Sequence, residues 1–323
     1  MKIVTDGHEQ RTPVADINHA VRELAARASI EATPARILDD GGLPEALPFG
    51  MPVYVPYLPR ADFDLTVAAT RRLAEAGLRP VAHIPARAVH SRGQLRDWLA
   101  ALVEAGADSL LLIAGDRSSA AGPFDSTLQI LDSGLLEDAG IRRLGVAGHP
   151  EGHPDVDDAV LDKALAIKRD YAAATGCRMW IVTQFVFSTA ATVPWLERIR
   201  DVTGDLEIHV GLPGPARLKT LIAYAAQCGV SASARILKRR PGAARLLGQW
   251  TPDGLLRDLA HLRVMASHCE RPLFDEIHLF PFGGLGRSAE WLRELAGDHE
   301  GHQPSGRPEA DPTAAVPPLN WRA

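Results

Sequence analysis

Short apolar runs alternate with longer stretches of helical periodicity along most of the chain. The runs at 28–32, 52–56, 81–84, 109–114, 144–147, 179–185, 207–211 and 276–280 read as strands. Between them the apolar positions recur every three to four residues, which predicts amphipathic helices at 62–76, 91–105, 126–139, 157–175, 193–202, 215–228 and 252–268. Asp62 and Ser91 stand where N-caps belong, and Gly77 and Gly106 where helices stop. Several runs are apolar throughout, LLLIAG and WIVTQF among them. Strands covered on both faces read this way, as in a parallel sheet wrapped by helices. Eight such units within about 290 residues predict a (β/α)8 TIM barrel. A doubly wound open sheet competes, because periodicity does not report closure, but no GxGxxG turn follows the first strand.

The expected organisation is an N-terminal extension and helix over 1–27, a catalytic barrel over 28–297, and a flexible tail over 298–323, where Pro, Gly and charge leave little to bury. His299 and His302 in that tail are read as solvated rather than metal-binding. The net charge of −5 gives no basic field for nucleic acid. The three cysteines are scattered and odd in number, which argues against a disulfide framework and fits a reducing cytoplasm. No apolar leader or membrane-length run is present. Leu255–Met265 offers a surface for a second subunit, with core burial as its competing use.

A barrel of this kind carries its chemistry at the C-terminal ends of its strands. That rule selects Glu31, His83, Gly115, Asp116, the 148–154 loop (Gly-His-Pro-Glu-Gly-His-Pro), Gln184, His278 and Phe280. Glu31 sits on a short apolar strand, where a carboxylate is costly unless paired or protonated, so it is a candidate general acid or half of a buried salt bridge. Gly115 lets backbone approach a ligand, and Asp116 beside it is either a site carboxylate or a helix cap. His149 and His153 lie four apart in a Pro- and Gly-rich loop rather than on a helix, and no third ligand stands at metal spacing, so no metal is expected. Lys168 and Arg169 follow on the next helix, where they either reach a phosphate or face solvent.

Taken in order, these segments resemble the methylenetetrahydrofolate reductase family. The segment 146–154 (VAGHPEGHP) is similar to the family's A-x-Y-P-E-x-H-P loop, and 181–187 (IVTQFVF) to its I-T-Q-F-F-F strand. Ser29-Ile30-Glu31, followed by Pro34 and Arg36, resembles S-F-E-F-F-P-P; Ala82-His83-Ile84 resembles H-L-T; Gly115-Asp116 resembles R-G-D. Val210-Gly211-Leu212-Pro213 is similar to P-G-I-x-P, and Ile277-His278-Leu279-Phe280 to F-H-F-Y. The likeness spans roughly residues 28–295.

The resemblance implies an FAD-dependent oxidoreductase that interconverts 5,10-methylenetetrahydrofolate and 5-methyltetrahydrofolate, with NADH or NADPH as electron donor. It implies Glu31 as general acid and Asp116 as a carboxylate near pterin and flavin. It implies His83, Gly115, Asp116, His149, His153, Asp162 and Lys168 along the flavin, and Gln184 and Phe280 toward the folate. The sequence also departs from the family. Ala114 replaces the Arg that steadies the cofactor diphosphate, His149 replaces a Tyr, Ala32 and Thr33 replace aromatics, and Val55-Pro56-Tyr57 replaces Thr-Tyr-Gly. A lost Arg–phosphate contact weakens binding by about 1.5–3 kcal/mol unless Arg117, Arg87 or Arg92 replaces it. A flavin-free barrel enzyme on reduced folate, transferring hydride directly from nicotinamide or acting as methyltransferase or lyase, is the alternative. A His-rich flavin loop also implies cofactor affinity that changes near the ordinary histidine pKa of about 6.5.

Overall fold

The computed structural model describes residues 14–59, 61–228, 249–266 and 271–297. Eight parallel strands close into a ring: β1 (Ser29–Glu31), β2 (Pro52–Val55), β3 (Arg79–Pro85), β4 (Ser109–Ile113), β5 (Arg143–Gly148), β6 (Arg178–Phe185), β7 (Glu207–Pro213) and β10 (Glu276–Phe280). The first and last are neighbours, with Ser29 beside His278 and Ile30 beside Leu279, so the ring has no open edge. This is a (β/α)8 barrel. The short pair β8 (Ala216–Arg217) and β9 (Gln249–Trp250) lies outside it.

Alternation along each strand sorts the side chains. Ile30, Val53, Val55, Ala82, Ile84, Leu110, Leu112, Leu144, Val146, Ile181, Ile208, Val210, Leu212, Ile277 and Leu279 belong to the main apolar cluster that joins the strands to the helices. The opposite set faces the barrel interior, where Tyr54, Val81, Leu111, Ile113, Trp180 and Val182 form a separate cluster. Buried Ser29, Glu31, His83, His209 and His278 share that alternation. The interior is therefore a mixed aromatic and polar core.

The helices form where caps and periodicity place them. Helix α3 (Phe63–Glu75) is capped by Asp62, which accepts from the Asp64 N–H, and α4 (Arg92–Glu104) by Ser91, which accepts from Gln94. Gly77 and Gly106 follow them at φ +73° and +95°, conformations that favour glycine. Helix α1 (Val14–Arg27) packs against α10 (Asp253–Met265) and α11 (Leu285–Ala296), so Leu255, Leu256 and Leu259 serve the core.

Three sequence expectations change. The helix expected at 126–139 is two short ones, α5 (Thr127–Leu131) and α6 (Leu135–Asp138), broken where Gly134 takes φ +73°. The helix expected from 193 begins earlier, as α8 (Thr189–Thr203), because Ser188 caps it; Pro194 costs one hydrogen bond in its second turn. The helix expected from 215 begins after the β8 pair, as α9 (Leu218–Gln227). The tail at 298–323 and the region before Val14 lie outside the described residues. Among the described residues no helix is long and apolar enough to cross a membrane.

Interior packing leaves Gly145 no room for a side chain. A Cβ there meets Leu111 Cδ1 at 2.9 Å and Trp180 Nε1 at 3.0 Å. Gly145→Ala is expected to cost about 1–3 kcal/mol, the usual penalty of overpacking, as a lowered urea midpoint with unchanged m-value.

Candidate functional site

Every strand of the ring points the same way, so the residues following the strands crowd one mouth. Glu31 ends β1 and is 1% exposed. It lies beside Tyr54 in the β2 register, and Ser29, one interior layer below, lies beside His278. Neither carboxyl oxygen has a hydrogen-bond partner among the described residues. The closest basic group is His278, whose Nε2 stands 3.8 Å from Oε2. Burial pushes the His278 imidazole well below its ordinary range, an effect to which His209 and His83 add. The pair is thus not a salt bridge, and desolvation alone pushes the Glu31 carboxyl well above the usual carboxylate range. Inside the barrel the acid form is favoured.

The mouth above Glu31 is aromatic. Phe280, 1% exposed, meets His278 edge-on at 4.7 Å, Phe185 at 5.5 Å and Phe282 at 5.9 Å. Tyr224 of α9 stacks on Phe282 at 4.3 Å, and burial raises the pKa of its hydroxyl. His83 on β3 lies edge-on to Tyr54 at 6.1 Å, with its pKa lowered to about 3 by burial. At that value it is a neutral imidazole.

Asp116 follows β4 through Gly115, whose φ of +88° sets it against Pro85. Asp116 is half-buried and does not cap a helix; α5 starts later, under a Ser126 capping box. Burial and, after it, the Asp116 charge raise the pKa of Tyr57, which stands within electrostatic reach of the carboxylate. Thr33, a second departure, caps the short α2 (Pro34–Ile37) by accepting from Arg36. Arg87 donates to the carbonyls of Asp125 and Arg117, and Arg92 to that of Ser133, so both brace loops. Arg117 is exposed, with one long bond to the Ser119 carbonyl at 3.4 Å.

A second feature opens between the ends of β5 and β6. His149, Pro150, Glu151, Gly152, His153, Pro154, Gln184, Phe185, Val186 and Cys228 line a solvent-open cleft with a cavity volume of about 10 Å³. That is room for about one water, so a ligand arm would sit on the cleft or widen it. A bulge between Val182 and Phe185 shapes its wall: Thr183 Oγ1 accepts from Gly211 N–H at 2.8 Å, and Gln184 Oε1 accepts from Phe185 N–H at 3.0 Å. His149 and His153 meet edge-on at 5.4 Å. Desolvation, then His153 and Lys168, lower the His149 pKa to about 3. His149 thus stays neutral through the physiological range, so the expected pH dependence near 6.5 does not arise from it.

Lys168, on α7 (Asp158–Thr175), is 7% exposed and has no hydrogen-bond or ion-pair partner among the described residues. Burial lowers its pKa to about 8. Its charge is felt by His149 at the edge of the cleft. Asp162 on the same helix is not in the cleft lining; it pairs with Arg198 of α8 and joins the two helices. No group of three metal-ligating side chains occurs among the described residues.

The structure therefore gathers His149, His153 and Gln184 around one cleft with Lys168 beside His149, and Glu31, His83 and Phe280 in or over the barrel interior. Asp116 stands with Tyr57 on the β2–β4 side. Sequence reasoning missed the Tyr54–Trp180 pair, whose hydroxyl and indole meet at 2.8 Å across the interior. The donors fit a flavin dinucleotide in part. Lys168 and the histidine loop suit a phosphate-bearing arm and Gly115 permits close backbone approach, whereas Ala114, Arg87 and Arg92 offer no free cation.

No family model matches the sequence. Among solved structures the chain is similar to a provisionally assigned copper homeostasis protein, CutC, from Streptococcus agalactiae (15% identity, 57% of this chain and 87% of that chain, TM-score 0.36). It is similar to two provisionally assigned proteins of Burkholderia cenocepacia J2315. One is a phosphonomutase (12% identity, 62% and 84% of the two chains, TM-score 0.39) and the other a lyase/mutase (15% identity, 88% and 89%, TM-score 0.43). Likenesses at this level say nothing about chemistry.

The Lys168 charge is a burden on the unliganded fold. Its pKa is lower in the folded chain, about 8 against the ordinary 10.5, so the unfolded chain holds more protons between those values and stability rises with pH across that window. Lys168→Met is expected to stabilise the protein at pH 7, by at most about 3 kcal/mol, and the advantage should shrink by pH 10. Chemical denaturation of both proteins at the two pH values checks this.

Proposed function

We propose that this protein is a reductase of a folate-bound one-carbon unit, interconverting 5,10-methylenetetrahydrofolate and 5-methyltetrahydrofolate with a nicotinamide as electron donor and FAD as the resident carrier. One observation carries the reading: a buried carboxyl group with neither oxygen partnered among the described residues, pushed by desolvation well above the usual carboxylate range, at the C-terminal end of a closed barrel's first strand. Opening the five-membered ring of a methylene-folate requires a proton on the departing nitrogen near neutral pH. An ordinary exposed Glu, with a pKa of about 4.3, is ionised there and has no proton to give. Glu31 keeps one.

The remaining residues divide the work. When bound, a flavin supplies two-electron transfer between nicotinamide and substrate. Asp116 holds a negative charge at the mouth, where it stabilises the cation that develops as the ring opens. Phe280, with Phe282 and Tyr224 beside it, gives a flat pterin an aromatic surface that excludes water from the proton transfer. Gln184, fixed by the bulge, keeps its amide N–H2 for the pterin edge while its oxygen is engaged with Phe185. Lys168, with His149 and His153, receives a phosphate of the dinucleotide, and Gly115 lets the chain approach it.

The flavin-free reading keeps Glu31 and Asp116 in their roles and removes the resident carrier. It is favoured by Ala114 and by the engagement of Arg87 and Arg92 with loop carbonyls. An anaerobic assay with NADH and methylenetetrahydrofolate, with and without added FAD, separates the two: FAD-dependent turnover supports the reductase, and turnover indifferent to FAD the direct transfer. In either case Glu31→Gln is expected to lower turnover by about 10²–10⁴-fold. Equal turnover of Glu31→Gln and wild type would remove Glu31 from the chemistry.

A further inference from the structure

Aromatic rings cover Glu31 in two layers. Phe280 lies in the inner one. It follows Leu279, the register partner of Ile30, so it stands beside Glu31 across the β1–β10 pair. Its ring reaches over the mouth to β7, where a Cβ on Gly211 would meet Phe280 Cε2 at 2.7 Å. Phe185 packs against it at 5.5 Å, and both rings are almost fully buried. The outer layer is Phe282 and Tyr224, both half-buried. Phe282 lies near-parallel to Phe280 at 5.9 Å and meets Phe185 at 4.8 Å, and Tyr224 stacks on Phe282 at 4.3 Å. Tyr224 is carried by α9.

Helix α9 is attached differently from its neighbours. Its Leu218, Leu221 and Ala225, with Cys228 at its end, pack with the strand-end aromatics in a cluster separate from the main apolar core. Helices α1, α10 and α11 share the main core instead. A satellite cluster opens more readily than the core it adjoins. The helix also has little to hold it besides that packing. It is 10 residues long, with no side-chain N-cap bond and no acidic residue in its first turn, whereas α3 and α4 are capped. A helix that short owes its stability to tertiary contacts. Its base, by contrast, is pinned. Gly214 N–H donates to the Phe280 carbonyl at 2.8 Å, Gly283 packs on the Pro215 carbonyl with no room for a Cβ, and Ala216 and Arg217 pair with β9. Any movement of the helix therefore pivots at Arg217–Leu218.

We propose that α9 is a lid on the barrel: it lifts with Tyr224 while the core stays folded, and lifting it uncovers Glu31. The structure holds the closed position, with Glu31 1% exposed. A group that takes the Glu31 proton must come within about 3 Å of the carboxyl, and the rings occupy that approach. With α9 lifted, Phe282 loses its stacking partner and the outer layer comes apart. Phe280, no longer pressed from above, is then free to turn off the carboxyl. Closure over a bound substrate restores the water-free surroundings. Only the use of the opening for substrate entry rests on the proposed reaction; the opening itself does not.

Thiol labelling with iodoacetamide at rising urea, below the unfolding transition, tests the lid, with digestion and mass spectrometry resolving each site. The slope of log rate against urea reports how much surface each opening exposes. Cys177 lies in the main core and Cys228 in the outer cluster, 7% and 8% exposed. In the wild type Cys177 is expected to label with the full slope of global unfolding, and Cys228 with less than about half of it. Equal slopes would overturn the proposal. In Glu31→Cys the thiol at position 31 is also expected to label with less than about half the Cys177 slope. Adding Tyr224→Ala should speed labelling at position 31 about tenfold and leave Cys177 within about twofold. A full slope at position 31, or a Tyr224→Ala rate there that is unchanged or rises only as much as that of Cys177, contradicts the lid. Should Glu31→Cys not fold, the wild-type comparison of Cys228 with Cys177 still decides for or against it. No substrate is used, so a protein that passes these measurements and fails the folate assay loses only the proposed reaction.

Discussion

Closing a ring of eight strands around polar side chains is the constraint on which the rest depends. A closed barrel has no edge, so water reaches its interior only through the ends, and each polar group inside must find a partner or change its charge. Trp180 and Tyr54 solve the problem by pairing. His83 and His278 solve it by staying neutral. Glu31 is pushed by it toward its acid form. The same desolvation thus favours a neutral imidazole in one place and a neutral carboxylic acid in another.

The cleft beside β5 and β6 uses the opposite solution. Lys168 is nearly as buried, yet its pKa falls only to about 8. It remains largely cationic near neutrality, without a carboxylate to answer it. A group held at such cost makes sense where a ligand completes it, and the neighbouring His149 is a neutral donor or acceptor rather than a competitor. The barrel therefore holds a buried carboxyl inside and a buried ammonium toward its rim, which the proposed function reads as a proton source and a seat for a phosphate. Such a division suits a long ligand with a phosphate-bearing arm and a reacting head.

The barrel was legible because its strands are apolar on both faces and its helices are capped by side chains that announce themselves, Asp62 and Ser91 above all. What escaped was local. The break at Gly134 looks like helix because the flanking apolar residues keep the period, and only the backbone angle reveals the turn. Pro194 reads as a helix start, although Ser188 had already begun the helix. At the site, strand-end logic placed Glu31 and Gln184 at the mouth, but a strand list does not report pairing across a barrel. Tyr54 and Trp180 are 126 residues apart and meet only through closure. Asp162 had an Arg198 within reach of the next helix, which no spacing rule exposes. The neutrality of His149 likewise depends on burial and on two neighbours, one of them on another element.

The proposed chemistry depends on the protonation of one carboxyl group near neutral pH. The infrared difference spectrum between wild type and Glu31→Gln, recorded at pH 7 in water and again in deuterium oxide, examines it most directly. A carbonyl band of an undissociated carboxylic acid that is lost in the variant and shifts on deuteration is the result the account predicts. A difference spectrum carrying only the paired stretches of a carboxylate would contradict it.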